Sequence, residues 1–280
     1  VHSGRVEGVV SRKEIYKAQS VILACGGASY QRTGSTGDGY LLAKKVGHSI
    51  NPIRPFLIPL EAKESWVKDL QGLSLKNVST TVMVNGRKKD SEFGEMLFTH
   101  FGVSGPIILT LSGGVVDHLG QGKVEVSLNL KPALTQDQLD GRLQREFKAH
   151  HLKGLSGILK LLLPSKMIPV FLALADIPGD KKGNQITAEE RSRIRTLLSD
   201  LRFTITAARP LEEAIVTAGG VSLKEVNPKT LESKIVPGLF LCGEVLDIQG
   251  KTGGYNLQAA FSTGWVAGES AAGRVASGGF

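Results

Sequence analysis

Cysteine is scarce: Cys25 and Cys242 are the only two in 280 residues. Two thiols build neither a disulfide framework nor a four-ligand zinc site, so reducing cytosol is the expected compartment. No apolar run reaches the ~18–20 residues of a membrane helix. The nearest, residues 158–177, is broken by Lys160, Pro164, Lys166 and Pro169. The chain opens with Val1 and nothing there reads as a signal peptide, so a cytoplasmic protein with no membrane partner is expected. No histidine pair has metal-ligand spacing supported by Cys or carboxylates, and no metal is expected. No G-x-S-x-G and no Ser-His-Asp arrangement is readable. Repeats and low-complexity tracts are absent as well.

What is present is an ordinary globular composition, with 41% hydrophobic and 21% charged residues. That excludes disordered, collagenous and coiled-coil chains. The formal net charge of +8 favours anionic partners such as phosphates, dinucleotides or nucleic acid. For a dedicated nucleic-acid binder this excess is small, and a nucleic-acid role is the minority expectation.

Hydrophobic spacing divides the chain into three styles. Val6, Val9 and Val10, then Ser11-Arg12-Lys13, then Ile15 and Tyr16 suggest a hairpin. Residues 21–25 form an apolar run closed by Gly26-Gly27, as in a buried strand of a parallel sheet, and residues 40–46 read as a helix stopped by Gly47. Beyond Pro52, Pro55 and Pro59 the pattern alternates: Val78, Thr80, Val82 and Val84 share a face, Asn85-Gly86 is a hairpin turn, and Val124, Val126, Leu128 and Leu130 alternate again. Pro106 after Ser104-Gly105 marks a helix start. From Thr135 helical spacing takes over, with capping boxes at Thr135/Gln138 and Thr187/Glu190. Leu139, Leu143 and Phe147 form one stripe, and Ile194, Leu197, Leu198 and Leu201 another. Residues 155–163 and 167–175 read as two further helices. After Phe203 the strand-and-glycine style returns. Residues 217–221 read as a turn beside short strands, 239–244 as a buried strand ending in Gly, and 257–272 as a helix of small residues.

A discontinuous α/β domain is therefore expected from residues 1–59 and 207–280. An inserted domain spans 60–206, β-rich over 60–132 and helical over 133–206. Buried strands ending in Gly on both sides of the insert can lie side by side in one parallel sheet. Ligands bind beyond the carboxyl ends of such strands.

Four glycine clusters fall in the α/β portion: Gly26-Gly27, residues 34–39, Gly219-Gly220, and Gly250 through Gly253-Gly254. Two of them precede helices, whose N-termini carry free N–H donors and partial positive charge. Such an end holds a phosphate or stabilises negative charge on a ring. Asp38 is placed to cap the helix from Tyr40. Glu244 ends a strand, where a carboxylate can accept hydrogen bonds from ribose-like hydroxyls. The plain alternative for any one cluster is a turn.

These residues carry a resemblance. The run 243–247, then Gly250 and residues 252–258 with Ala260, resembles the C-terminal signature of the BaiN/YhiN-type flavoproteins, NAD(P)/FAD-dependent oxidoreductases that include aminoacetone oxidases. Residues 23–29, 34–39, 94–106 and 217–221 resemble further motifs of that family in the same order. The resemblance implies a Rossmann-type, glutathione-reductase-like FAD domain interrupted by an insert with a β-barrel-like part and a helical part. It places Cys25, Gly26, Gly27, Thr36, Gly37, Asp38, Gly243, Glu244, Asp247, Gly253, Gly254, Tyr255, Asn256 and Gln258 around FAD, with NAD(P)H as reductant and a small molecule as substrate. No catalytic acid or base is singled out.

Two departures stand out. The family opens with a G-x-G-x-x-G that holds the ADP pyrophosphate, and this sequence has none. The expectation is a C-terminal, larger portion whose partner is an N-terminal segment of the same protein. Cys25 stands where the family usually has Thr. Cys25 and Cys242 both end expected strands, and two small buried residues is the reading favoured over a redox pair. His100 is expected to be a partly buried structural residue, His48 to cap its helix, His150-His151 to close another. Arg87-Lys88-Lys89 is expected at a solvated hairpin tip. The competing function is a basic binding module for nucleic acid or a protein, without flavin chemistry.

Overall fold

The computed structural model describes residues 1–276 apart from Ser3 and Lys13. Along the chain the elements are β1 (Gly8–Ser11), β2 (Glu14–Lys17), β3 (Val21–Leu23), α1 (Asp38–Lys45), β4 (Ile50–Phe56), β5 (Leu60–Ala62), α2 (Ser65–Asp69), β6 (Ser74–Val84), β7 (Arg87–Phe98), β8 (Gly102–Ser104), α3 (Pro106–His118), β9 (Val124–Asn129), α4 (Gln136–Ala149), α5 (Leu155–Leu159), α6 (Ile168–Ala175), α7 (Ala188–Ser199), β10 (Leu201–Ala208), β11 (Val216–Val221), β12 (Leu239–Leu241) and α8 (Tyr255–Ala276). They fall into two compact units, Val1–Ile58 with Arg209–Phe280, and Pro59–Ala208.

The second unit is built on a closed barrel of order β10-β5-β8-β7-β6-β9. Alternation explains it: Val78, Thr80, Val82 and Val84 of β6 and Val124, Val126 and Leu128 of β9 point inward and are buried. Asn85 and Gly86, with φ of 49° and 75°, make the tight turn between β6 and β7. The stave that closes the barrel, β10, was expected among the helices; Leu201 opens this strand rather than ending the α7 stripe. Its own alternation, with Leu201, Phe203 and Ile205 buried, is the strand period.

Between β9 and β10 the capping boxes at Thr135 and Thr187 both form. Leu139, Leu143 and Phe147 of α4 and Ile194 and Leu198 of α7 join the barrel residues in one core. Residues 155–163 yield only the short α5, and Met167 lies in a 3-10 turn ahead of α6. Pro164 breaks the run there, while Pro169 sits in the first turn of α6, where its missing N–H costs no helix bond.

Two carboxylates in this helical part are held below the usual range. Glu190 is lowered by hydrogen bonding to Lys181, 2.6 Å away, and to the Thr187 backbone; Asp140 is lowered by Arg191 at 2.9 Å. Depressed carboxylates contribute stability above their unfolded pKa values, about 4, and lose it as pH falls through the lower folded values. Urea midpoints are expected to stay flat from neutral pH down to about pH 5 and to drop below about pH 4. Glu190→Gln should flatten that drop; an unchanged pH profile would exclude Glu190 as a contributor.

In the first unit β3 and β12 pair in parallel, Val21 beside Leu239 and Leu23 beside Leu241. Helix α8 packs on them, and Tyr40, Ala43, Phe240, Leu241, Val245 and Ala267 form the core. The hairpin of β1 and β2 forms, with Lys13 of its turn outside the described residues. Strand β3 corrects an expectation: of residues 21–25 only Leu23 is buried, while Ile22, Ala24 and Cys25 are exposed. The reason is its position, since β3 has one strand partner among the described residues.

The run 217–221 is another correction. It is strand, not turn: β11 lies fully buried and antiparallel to β4. Gly219 and Gly220 sit at a register shift with φ of 87° and 126°. A Cβ on Gly219 would meet the Pro52 carbonyl oxygen at 2.1 Å, so the pair lets the two backbones approach.

His48 does more than follow its helix. Its ring is buried, with Nδ1 3.1 Å from Glu225 Oε2 and Nε2 2.8 Å from Ser233 Oγ. Glu225 also accepts from the Ser49 N–H, and Ser233 Oγ accepts from the Ile235 and Val236 N–H groups. The imidazole thus ties the end of α1 to the loop 225–236. His48→Ala should cost about 2–4 kcal/mol by leaving a cavity and the buried Ser233 hydroxyl and the part-exposed Glu225 carboxylate each short of a partner. Urea unfolding checks this, and a loss under about 0.5 kcal/mol would mean the network is dispensable.

Candidate functional site

The carboxyl ends of β3 and β12 lead directly into the glycine loops. After β12, Cys242 and Gly243 enter a 3-10 turn over Gly243–Val245, and Glu244 sits in it. The Glu244 carboxylate turns toward β11 and accepts the Thr217 N–H through Oε1. Thr217 Oγ1 in turn accepts the N–H groups of Ala28 and Ser29, at 2.8 and 3.0 Å. Gly27 lies against this pair: a Cβ there would stand 2.5 Å from Thr217 Oγ1 and 2.8 Å from Glu244 Oε1. Gly37 N–H donates to the Gly27 carbonyl at 3.2 Å, joining the second glycine loop to the first. Tyr40 donates its hydroxyl to the Glu244 carbonyl at 3.1 Å; burial raises the phenol pKa well above its ordinary value, so it stays a donor.

On the other side of Glu244 opens a cavity of about 410 Å³. Volumes of this order suit small-molecule and cofactor sites. Gly243, Glu244, Gly253, Gly254 and Asn256 line it with Lys251, Thr252 and Thr263, and apolar walls come from Leu57, Ile215, Val216, Ile248 and Leu257. All belong to the first unit. The N-terminus of α8 borders the cavity, and its first N–H groups have no partners within the helix. The Gly243 N–H is taken by Thr263 Oγ1 at 2.9 Å, which in turn donates to the Ala259 carbonyl at 2.7 Å.

Of the other expected site residues, Asn256 locks a loop, its side chain bonding both the N–H and the carbonyl of Gly250 at 2.7 and 2.8 Å. Asp247 accepts from Asn51 Nδ2 at 2.7 Å. Gln258 bonds Ser262 one turn along the exposed side of α8, and Tyr255 is exposed. Gly26 and Gly27 meet the loop of Thr36 and Gly37, where Thr36 is exposed. Asp38 is corrected as a cap: Gly37 holds that position, and Asp38 is the first helical residue, its charge facing the helix dipole.

Cys25 is exposed while Cys242 is buried, against the expectation of two buried residues. Cys25 lies past the end of its strand, beside Gly39. Burial, with a smaller effect of Cys25, pushes the Cys242 thiol up. His100 is exposed too, its ring edge-on to Phe101 at 4.9 Å. His150 does close α4, and Arg87-Lys88-Lys89 lies exposed beyond the turn of Asn85-Gly86.

Sequence reasoning missed Thr217, Tyr40, Lys251 and Thr263 as site residues. Thr217 lay in a motif already singled out, and Lys251 and Thr252 sat beside Gly253. The contacts of Tyr40 and Thr263 join residues far apart along the chain and left no signal.

Comparison with known proteins fits this geometry. The chain is 32% identical over 260 residues to the 3-dehydro-bile acid delta(4,6)-reductase of Clostridium scindens, covering 92% of this chain and 63% of that protein. It is 31% identical over 248 residues to the ribosomal RNA dihydrouridine synthase of Escherichia coli, covering 89% and 59%. With that of Haemophilus influenzae the identity is 30% over 254 residues, covering 90% and 60%. The chain thus spans about three-fifths of the length of these relatives. The family model described as HI0933-like protein Rossmann domain matches residues 2–270, and the chain belongs to that family, the one its motifs resemble.

Proposed function

We propose that this chain is the flavin-holding part of an FAD-dependent oxidoreductase that reduces a carbon–carbon double bond in its substrate, with NADH or NADPH as electron source. The observation that carries the reading is the cavity at the carboxyl end of β12, walled by glycine loops and bordered by the N-terminus of α8. The donor set fits a flat heteroaromatic group. Apolar Leu57, Ile215, Val216 and Ile248 suit the ring faces, and side-chain-free Gly253 and Gly254 allow close backbone approach. Helix α8 would offer partial positive charge to a ring that gains negative charge on reduction. Glu244, oriented by Thr217, keeps acceptor capacity for a hydroxyl of the cofactor's sugar-like chain. FAD bound here would supply hydride transfer, while the protein binds, orients and shields. The relatives support the reaction class, because their names describe reductions of double bonds.

The test is an absorbance spectrum after incubation with excess FAD and gel filtration. Roughly one flavin retained per chain, bleached by NADH or NADPH without oxygen, is the expected result. A colourless chain that stays colourless when covalently continued by the segment its relatives carry would sink the reading.

A second reading concerns the substrate, a structured RNA. Two relatives are named for ribosomal RNA, and this chain carries a net charge of +8 with an exposed Arg87-Lys88-Lys89 tip. Affinity for a ribosomal RNA fragment that falls steeply with salt would support it, and no binding at low salt would end it.

A further inference from the structure

Cys25 and Cys242 are the only two cysteines of the chain, and both lie just beyond strands of the parallel pair in the first unit. Leu23 stands beside Leu241, and the Cys242 N–H continues the ladder by donating to the Leu23 carbonyl at 3.1 Å. Carried one residue on, that register sets Ala24 beside Cys242 and Cys25 one step along the diagonal. With strands about 4.8 Å apart and a rise of about 3.3 Å per residue, the diagonal spans about 6 Å between Cα atoms. The usual Cα separation of a disulfide is the same, about 5.5–6 Å. A regular strand would send the two side chains to opposite faces. Here the alternation has lapsed: Ala24 and Cys25 are exposed in succession, and Gly26 follows at φ 74°. Gly243, directly after Cys242, has φ of 73°, so both cysteines sit where the chain turns out of the sheet. Gly39 lies against Cys25, and a Cβ on it would stand 3.0 Å from Cys25 Cβ and 3.8 Å from its Sγ; without one, the thiol has room to turn. Burial, and then the charge of Cys25, push the Cys242 thiol up, so the two groups are within electrostatic reach. Cys25 is exposed and Cys242 only 5% exposed. An accessible thiol beside a resolving one is the arrangement of reversible redox pairs.

We propose that Cys25 and Cys242 form a reversible intramolecular disulfide in response to low-molecular-weight disulfides of the glutathione type. The exposed Cys25 thiolate attacks such a disulfide, forms a mixed disulfide and releases one glutathione thiol. Cys242 then gives its proton to water and attacks the Cys25 sulfur. The Cys25–Cys242 bond forms as the bond to glutathione breaks, and the second glutathione leaves. The two cysteines lose two electrons and two protons, and the glutathione disulfide is reduced to two thiols. The new bond ties together the two glycine loops of the candidate site, since Gly26-Gly27 follow Cys25 and Gly243-Glu244 follow Cys242. In reaching Cys242, Cys25 draws Gly27 with it, and Gly27 has no free space beside Thr217 and Glu244. Oxidation therefore displaces Glu244 and weakens flavin retention. That last consequence rests on the flavin reading; the disulfide itself does not.

The test incubates the full chain, without flavin, with oxidised glutathione, then measures its intact mass and the thiols open to alkylation after unfolding. Expected is a monomer lighter by two hydrogens with no thiol left to alkylate, its peptide map joining Cys25 to Cys242. Dithiothreitol should return both thiols. Cys242→Ala should stop at the mixed disulfide, with one glutathione on Cys25, and Cys25→Ser should leave Cys242 unmodified. Circular dichroism checks that each variant keeps its fold; the wild-type result stands without them. A wild-type chain that keeps both thiols, or that holds glutathione on Cys25 without releasing it, overturns the proposal. So does a disulfide found only between two copies of the chain. Equilibrium dialysis against FAD then compares the oxidised and reduced forms, and the oxidised form should bind at least about tenfold more weakly. Equal binding would remove the control of the site. If neither form retains FAD, the flavin reading falls and the disulfide stands.

Discussion

Gly27→Val is expected to abolish flavin retention while the chain stays folded. Gly27 has an ordinary backbone conformation, absent from the positive-φ glycines, so a side chain there meets steric rather than backbone strain. Its Cβ would lie 2.5 Å from Thr217 Oγ1 and 2.8 Å from the Glu244 carboxyl group. Neither neighbour moves freely. Thr217 holds the Ala28 and Ser29 N–H groups, and Glu244 holds the Thr217 N–H. Relief therefore rotates Glu244 out of the position it holds beside the cavity. Overpacking of this kind costs about 1–3 kcal/mol of stability. The loss in FAD affinity should be larger than that loss implies for a distant site, about a hundredfold or more, or roughly 2.7 kcal/mol. Equilibrium dialysis against FAD and urea unfolding, run together, separate the two. Undiminished retention would show that the Gly27–Thr217–Glu244 contact has no part in holding the cofactor.

The largest loss of stability is expected for Phe98→Ala in the barrel. Phe98 is fully buried at the end of β7, where its N–H donates to the Leu73 carbonyl and its carbonyl accepts the Gly72 N–H. The side chain belongs to the core shared by the barrel and its helices. Truncation removes the transfer energy of a phenyl ring and leaves a cavity that neighbouring staves cannot fill without breaking their ladders. Such substitutions cost about 3–5 kcal/mol. Urea unfolding would register this as a lowered midpoint with an unchanged slope. A cost under about 1 kcal/mol would mean the barrel interior is loosely packed around this residue.

Much of the fold is legible in the sequence. Period-two spacing located β6 and β9, Asn85-Gly86 located their neighbouring turn, and the capping boxes at Thr135 and Thr187 marked two helix starts. These signals are local, each decided by residues a few positions apart. Gly26, Gly27 and Gly243 were legible as loops following short strands, because glycine closes an apolar run at each of these places.

The errors share a cause. Cys25 was expected to be buried because it ends an apolar run, yet burial depends on what covers β3. Gly219-Gly220 looks like a turn in sequence, yet it lies in a strand, at the register shift where β11 pairs with β4. Leu201 continues the α7 stripe by spacing and still begins a strand, because β9 offers it a ladder, with Leu201 beside Leu128.

Sequence alone determined two capped helix starts, the alternation of the barrel strands, the glycine loops and the family. Those properties follow from backbone sterics and side-chain period, which act over a few residues. Only the tertiary structure decided that β10 closes the barrel, that Thr217 orients Glu244, that His48 bridges to Glu225 and Ser233, and that Cys25 is exposed while Cys242 is buried. Each of these joins groups far apart in the chain, or turns on burial, and their energy exists only once the packed units bring the surfaces together.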